Sequence, residues 1–389
     1  LTSVTHSVNG SLAYGHDFPA TGTLPTSETW SVTEGGVTTT RAVSVGYNSL
    51  AQVASWTAEG GPTVAITRDA DDLVTGVGGL TITRDGPSGV ELGTTMTVGE
   101  SSVTTTQRYS APYGEVASRG STYGGGAGLS FAYGYDWFGR LEHVTESGEG
   151  SDGERWYRYD AAGRLARVCT TQDCGDAGVS TELEHYTYDA NGTRAEWHNA
   201  LGDFTVHPTE DVDAQDRLTR FRLAGDSGSV TFTYDNAGRT QTKVRRAEDG
   251  VAWSTTALVY DSDGALKSFT RTGDGAASVE YRNDAAGRRI ARVVGGAVTA
   301  RWTYQGIHPV AEYDAAWALK RVYVYATRGH VPDYVAQADG SGGWGLYRVV
   351  TDHLGSVRRV VRVSDGAVMQ RMRLGRGCWR SSRLATREL

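Results

Sequence analysis

Apolar and polar residues alternate with period two in short runs along this chain. Trp156-Tyr157-Arg158-Tyr159 and Val230-Thr231-Phe232-Thr233-Tyr234 each read as a strand with one packed face. The runs end in one recurring heptad, Tyr159-Asp160-Ala161-Ala162-Gly163-Arg164-Leu165. Its variants are YDWFGRL from Tyr135, YDANGTR from Tyr188, VDAQDRL from Val212, YDNAGRT from Tyr234, YDSDGAL from Tyr260, NDAAGRR from Asn283 and YDAAWAL from Tyr313. Successive starts lie 24, 29, 24, 22, 26, 23 and 30 residues apart, so one supersecondary unit is repeated.

The heptad has a turn chemistry. Asp in the first turn position is suited to bond forward to the backbone, and Gly three places on takes the positive φ that a type I turn with a G1 bulge requires. A second strand follows, as in Arg164-Leu165-Ala166-Arg167-Val168. Each repeat is therefore predicted to be a β-hairpin, and since a lone hairpin is marginal, the hairpins must pair edge to edge. The turn residues that carry this reading are Tyr135, Asp136, Gly139 and Arg140; Tyr159, Asp160, Gly163 and Arg164; Tyr188, Asp189 and Gly192; Tyr234, Asp235, Gly238 and Arg239; and Tyr260, Asp261 and Gly264. Rings from neighbouring repeats are expected to form ladders, with the turn arginines over them.

Upstream the pattern is diluted. Residues 1–40 are expected to be degenerate or poorly ordered, and 41–130 to hold diverged repeats such as Thr63-Val64-Ala65-Ile66-Thr67-Arg68-Asp69. Gly120 to Gly128 reads as a glycine-rich loop before the regular repeats of 131–330. The rhythm is expected to end near Lys320, with breaks in pairing at His308-Pro309 and Val331-Pro332. No stretch carries a sustained 3.6-residue apolar period, so helix content should be low.

At this spacing Tyr-Asp-x-x-Gly-Arg-Leu resembles the YD repeat of the rearrangement-hotspot (Rhs) family, which includes bacterial polymorphic toxins, the C component of insecticidal toxin complexes and the teneurins. Val331-Pro332-Asp333-Tyr334, followed by Thr351 and then Asp352-His353-Leu354-Gly355-Ser356, resembles the start of the Rhs-associated core, over 331–373. The resemblance implies an all-β fold of antiparallel hairpins, spiralling as a strip or shell and incomplete at both ends. It also implies a non-enzymatic scaffold that encloses or delivers a C-terminal toxin absent from this fragment, secreted or at the cell surface. The implied partners are an enclosed toxin passenger or a secretion-system component. A cell-surface adhesion or carbohydrate-binding module is the alternative, with Trp137, Trp197 and Trp253 to stack on a surface glycan. A β-propeller of two-repeat blades is the third reading, disfavoured because consecutive repeats are as alike as alternate ones. Relatives cleave themselves through an aspartate-containing motif near the end of the core, and this chain stops before any match to it, so no catalytic residue is carried over.

Composition supports strands: 51 Gly, 8 Pro and 20 Tyr suit many tight turns and aromatic-rich strands. The net charge of −7 gives no nucleic-acid footprint. Its distribution is uneven, because residues 371–389 hold six arginines against Glu388, so the preceding 370 residues sum to −12. That tail, 374–389, breaks the strand alternation and is expected to be aberrant, disordered and the product of a frameshift or mis-called gene end. No apolar run approaches a membrane span; the opening residues show no charged n-region or apolar h-region, so no signal peptide is expected among them, and the start at Leu1 in place of Met suggests a fragment.

Several constellations invite chemistry. Cys169 and Cys174 stand five apart after a strand, and a disulfide or two unpaired thiols both fit, while a single pair falls short of a metal site. Cys378, in the tail, is given no role. Asp261-Ser262-Asp263-Gly264 is similar to the opening of a calcium loop but lacks its closing Glu, so it reads as a turn and no cofactor or metal is expected. Asp352-His353 with Ser356 is a local string without a nucleophile elbow, and it too reads as a turn, joining core strands. Glu142-His143 and Glu184-His185 are expected to be exposed.

Overall fold

The computed structural model describes residues 24–110, 114–148, 150–174, 181–199, 202–223 and 228–372, and the backbone of 3–7 and 11–17. The basic tail with Cys378 and the Gly175 after the cysteine loop lie outside the described residues. Among the described residues, thirty-two strands form one sheet. Each pairs antiparallel with the next in the chain, from Ser3–Ser7 to Val368–Arg371, so the fold is a single all-β meander. No helix occurs among the described residues, and none is long and apolar enough to cross a membrane.

The meander lies over itself. Carried through the register, side-chain alternation puts Trp30, Val43, Trp56, Leu80, Met96 and Phe131 on one face of the sheet. Residues 290–363 roof that face, and the cluster between the layers includes Trp30, Val43, Met96 and Val322, none with measurable exposure. Each large side chain buried this fully contributes about 1.5–3 kcal/mol over its exposed state. Four contacts fix the overlap. Trp30 Nε1 donates to Asp284 Oδ2 at 3.3 Å, Arg41 Nη2 to the Trp317 carbonyl at 3.0 Å, Arg348 Nη2 to Thr94 Oγ1 at 2.8 Å, and Arg358 Nη2 to Glu146 Oε2 at 2.6 Å. The partners on both sides advance together along the chain, about twenty strands apart. At ~4.8 Å per strand that is roughly 100 Å of sheet between one layer and the next.

Between Glu154 and Asn283 the sheet is a single layer. Most side chains there are half-buried, and the described ones that are fully buried are Val168, Cys169, Val206, Asp211, Val230 and Thr256. The face that is core elsewhere continues here as Tyr157, Tyr186, Trp197, Phe204, Phe221 and Phe232, and Trp197 stacks on Phe204 at 4.9 Å. Nothing in the described chain roofs it.

Four expectations need correcting. The stretch 27–40, expected to be degenerate or poorly ordered, lies in the regular strands Ser27–Glu34 and Val37–Tyr47, the second running on into the strand expected from Arg41, because Trp30 and Val43 anchor them in the overlap core. The glycine-rich stretch is a hairpin of Val116–Tyr123 and Gly126–Tyr135, turning only at Gly124-Gly125, since extended glycine serves a strand whose neighbours pack closely. Pro309 does not stop pairing. It sits in His308–Tyr313 opposite Tyr304, where a register shift removes the need for its missing N–H. Nor does the repeat rhythm end near Lys320, because the turns at Asp339 and Asp352 accept the same pair of backbone N–H bonds.

Candidate functional site: the repeat latch and the overlap seam

Each regular turn is closed by its aspartate. In Asp136, Asp160, Asp213 and Asp235, Oδ1 accepts the N–H groups two and four residues on at 2.9–3.0 Å, while Oδ2 accepts the arginine Nε at 2.7 Å. Asp189 and Asp261, followed at that place by Thr193 and Ala265, keep the backbone pair. The Arg164 N–H, against some desolvation and helped by the guanidinium, holds the Asp160 carboxyl below the ordinary carboxylate range.

The glycine place is left-handed whoever fills it. Gly139, Gly163, Gly192, Gly238 and Gly264 have φ between +75° and +88°. Among the described residues, those with positive φ other than glycine, Ala51, Asp72, Asp216 and Trp317, stand in the same place of their own heptads, at +61° to +67°. The register shifts by one at Tyr135, Tyr159, Tyr188, Tyr234 and Tyr260, the bulge that lets the tight turn join two twisted strands.

Where a turn arginine is followed by a tyrosine in the next repeat, a latch joins the two. Arg140 lies over the Tyr159 ring at 4.4 Å, Arg164 over Tyr188 at 4.5 Å, Arg217 over Tyr234 at 4.8 Å and Arg239 over Tyr260 at 4.9 Å. The same tyrosine hydroxyls donate to the carbonyls of Leu141, Leu165, Leu218 and Thr240, the residues just after those arginines. Asn283, in the tyrosine place, reaches the Leu266 carbonyl with its Nδ2 at 3.2 Å.

The overlap seam is held by arginines from the C-terminal layer. Arg301 Nη2 meets Glu34 Oε2 at 2.6 Å and Arg288 Nη1 meets Glu28 Oε2 at 3.3 Å. Arg358, 2% exposed, pairs with Glu146 and with Asp152 at 2.9 Å, and burial still pushes the Glu146 carboxyl up. Arg348 Nη2 meets Asp333 Oδ1 at 3.3 Å, and burial pushes this guanidinium down. Asp333 also accepts the Ala326 and Thr327 N–H groups at 2.8 Å, which makes Val331-Pro332-Asp333-Tyr334 the corner that aims the last strands at the other layer. The strand-alternation reading passed over these arginines and carboxylates. Their only signal is charge at alternate places that would otherwise be apolar, as at Arg348 between Leu346 and Val350.

Asp352 to Ser356 is one more turn of the same kind. Asp352 Oδ1 accepts the Leu354 and Ser356 N–H groups, Gly355 has φ +90°, and the register shifts at Thr351. The turn rests on the other layer. Tyr133 Oη accepts the His353 N–H at 3.2 Å, and the two rings lie 4.2 Å apart. Asp352 bonds Ser356 through its backbone N–H, not its hydroxyl, and His353 Nδ1 is buried without a hydrogen-bond partner, so no relay links the three side chains.

The remaining candidates separate. Cys169 and Cys174 are joined by a disulfide with Cα atoms 5.6 Å apart. His143 is half-buried, its ring stacked on Trp156 at 3.9 Å, contrary to the expected exposure, because its strand faces a second sheet strand's indole. Glu184 and His185 are half-buried too, with Glu184 accepting the Tyr186 hydroxyl. Trp137 is 95% exposed at a turn tip, whereas Trp197 and Trp253 lie under Arg194 and Arg245.

A family model described as the teneurin YD-shell matches residues 1–376. Among solved structures, the Tc holotoxin pore of Photorhabdus luminescens is similar in fold, with a TM-score of 0.58 and 11% identity over 95% of this chain and 20% of that one. Two TcdB2–TccC3 crystal structures match at 13% and 12% identity with TM-scores of 0.48, over 96% and 97% of this chain and 21% of theirs. The chain thus spans about a fifth of the length of those chains. No curated protein matches it. With the match running through the regular repeats and on past the Asp352 turn, this chain belongs to the teneurin YD-shell family.

Proposed function

We propose that this chain is a non-enzymatic stretch of β-shell wall, and that the longer protein uses the wall to enclose and deliver a toxin passenger outside the cell that makes it. The observation that carries the reading is the single-layer span from Glu154 to Asn283, closed at its ends by a buried overlap. A loop of sheet roughly 100 Å around has a width of roughly 30 Å, about three times the ~10 Å spacing of two packed sheets. Such a loop has room inside for a chain that is not part of the wall. The neighbours named as Tc toxin structures support a toxin as that chain and a secreted or surface setting. The periodic use of Asp and Arg in turn closure supports a scaffold over an enzyme, as does the engagement of Asp352 by its own turn.

The test is limited proteolysis of the longer protein with its passenger. An enclosed passenger is cut only after the wall is breached, so its half-life should fall sharply in an Arg358→Ala variant. A passenger cut at the same rate in both proteins overturns the reading. A time-dependent break in this chain, seen by intact mass spectrometry and lost on changing Asp352 or His353, overturns the non-enzymatic part. A second reading, recognition of a surface glycan, is favoured by one observation, the adjacent exposed rings of Trp137 and Phe138. Glycan-array binding lost on Trp137→Ala would select it.

A further inference from the structure

We propose that the His353–Tyr133 contact is an acid-sensitive fastener of the overlap seam, which releases the Asp352 turn from the other layer as histidine becomes protonated. The contact lies within this chain and is independent of what the wall encloses.

The geometry leaves no partner for a second proton on this ring. His353 sits at the point where a turn of the C-terminal layer meets the strand Gly126–Tyr135 of the other layer, across 220 positions of sequence. Its ring lies 4.2 Å from that of Tyr133, which is 8% exposed, and its Nδ1 is buried with no acceptor. A neutral imidazole tolerates this, whereas an imidazolium needs both nitrogens to donate.

The surrounding charge is of both signs. Arg328 donates Nη1 to the His353 carbonyl at 3.0 Å, and Arg119 approaches from the strand Val116–Tyr123. His330 faces Gly355 from the loop that carries Arg328. Asp352 is the nearest anion, but one of its oxygens is taken by the Leu354 and Ser356 N–H groups. Glu91 and Asp333 lie beyond it, beside Arg119. Burial above all holds His353 below its ordinary value of 6.5; Asp352, the next largest influence, pulls it back up, and Arg328 and Arg119 push it down again. A histidine depressed in the fold binds its proton more readily once released. Seam stability from this residue is therefore complete well above 6.5 and is lost as pH falls through that value towards the folded one.

The experiment is amide exchange of the full chain between pH 7.5 and 5.5, corrected for intrinsic rates, in peptides spanning 130–135 and 350–357. The opening equilibrium of both should rise by up to about tenfold per pH unit below the histidine's ordinary pKa, and His353→Gln should flatten the dependence. His198→Gln, altered on the strand Arg194–Asn199 in the single-layer span, should leave it unchanged. Should His353→Gln fail to fold, a histidine-selective carbon-13 titration of the wild-type protein decides independently. A His353 resonance titrating at or above the free value, or the same acid response in wild type and His353→Gln, overturns the proposal.

Discussion

The guanidinium of Arg140 lies 4.4 Å from the centre of the Tyr159 ring while the Tyr159 hydroxyl donates to the Leu141 carbonyl at 2.8 Å, so one tyrosine grips the preceding turn in two ways. The two grips are separable. Tyr159→Phe removes only the hydrogen bond and should cost about 0.5–1.5 kcal/mol. Arg140→Ala removes the cation over the ring and loosens its own Asp136. In a double-mutant cycle with Tyr159→Leu, urea melts should give a coupling of about 0.5–1 kcal/mol. Additive losses would mean that the stacking is incidental.

The left-handed turn place makes opposite predictions for its two kinds of occupant. Gly163→Val and Gly238→Val should each destabilise by about 1–3 kcal/mol, as measured by denaturant midpoint. Gly150 lies outside the frame but has φ +67°, so Gly126, which has ordinary φ and no atom near its added Cβ, is the proper control. Conversely, Ala51→Gly relieves a strained alanine in an exposed turn and should stabilise by up to about 1 kcal/mol. Destabilisation by Ala51→Gly would remove strain from the account.

Arg358 bridges Glu146 and Asp152 in the seam with both layers closed over it. Arg358→Ala leaves a buried carboxylate without its cation and should cost about 3–5 kcal/mol. Arg358→Met combined with Glu146→Leu should cost less, since Asp152 keeps Arg155 at 3.2 Å. Thermal melts of the two variants give the order, and the reverse order would show that the pair acts by packing alone.

The turn aspartates set a second and lower acid limit. Backbone N–H bonds from Arg164 and Arg239 hold Asp160 and Asp235 below the ordinary 3.8, so their contribution is present above that value and lost as pH falls through the folded one. Asp160→Asn should therefore weaken the protein at pH 7 yet converge on wild type once pH falls below the lowered folded value. A wild-type advantage that persists there would mean that the charge on Asp160 is not what closes the turn.

The hairpins were legible in the chain because their determinants are local. Asp160 reaches N–H groups two and four residues away, Gly163 needs only its own φ, and the tyrosine–arginine latch spans one repeat length, so a period in the sequence carries all three. The Asp352 turn was legible as a turn for the same reason. Its kinship with the repeats was obscured because Thr351 and Ser356 replace the tyrosine and arginine.

Tertiary structure alone decided where the strip meets itself. The face that carries Trp30 and Met96 and the face that carries Trp197 and Phe232 have the same alternation, yet one is core and the other half-open. Burial of a sheet face depends on whether a second layer lies above it, and that layer comes from about 200–280 residues away, through sheet twist accumulated over about twenty strands. The same distance hid the pairing of Arg358 with Glu146 and of His353 with Tyr133. A strand pattern states which way each side chain points, but only the closing of the strip determines what it meets there.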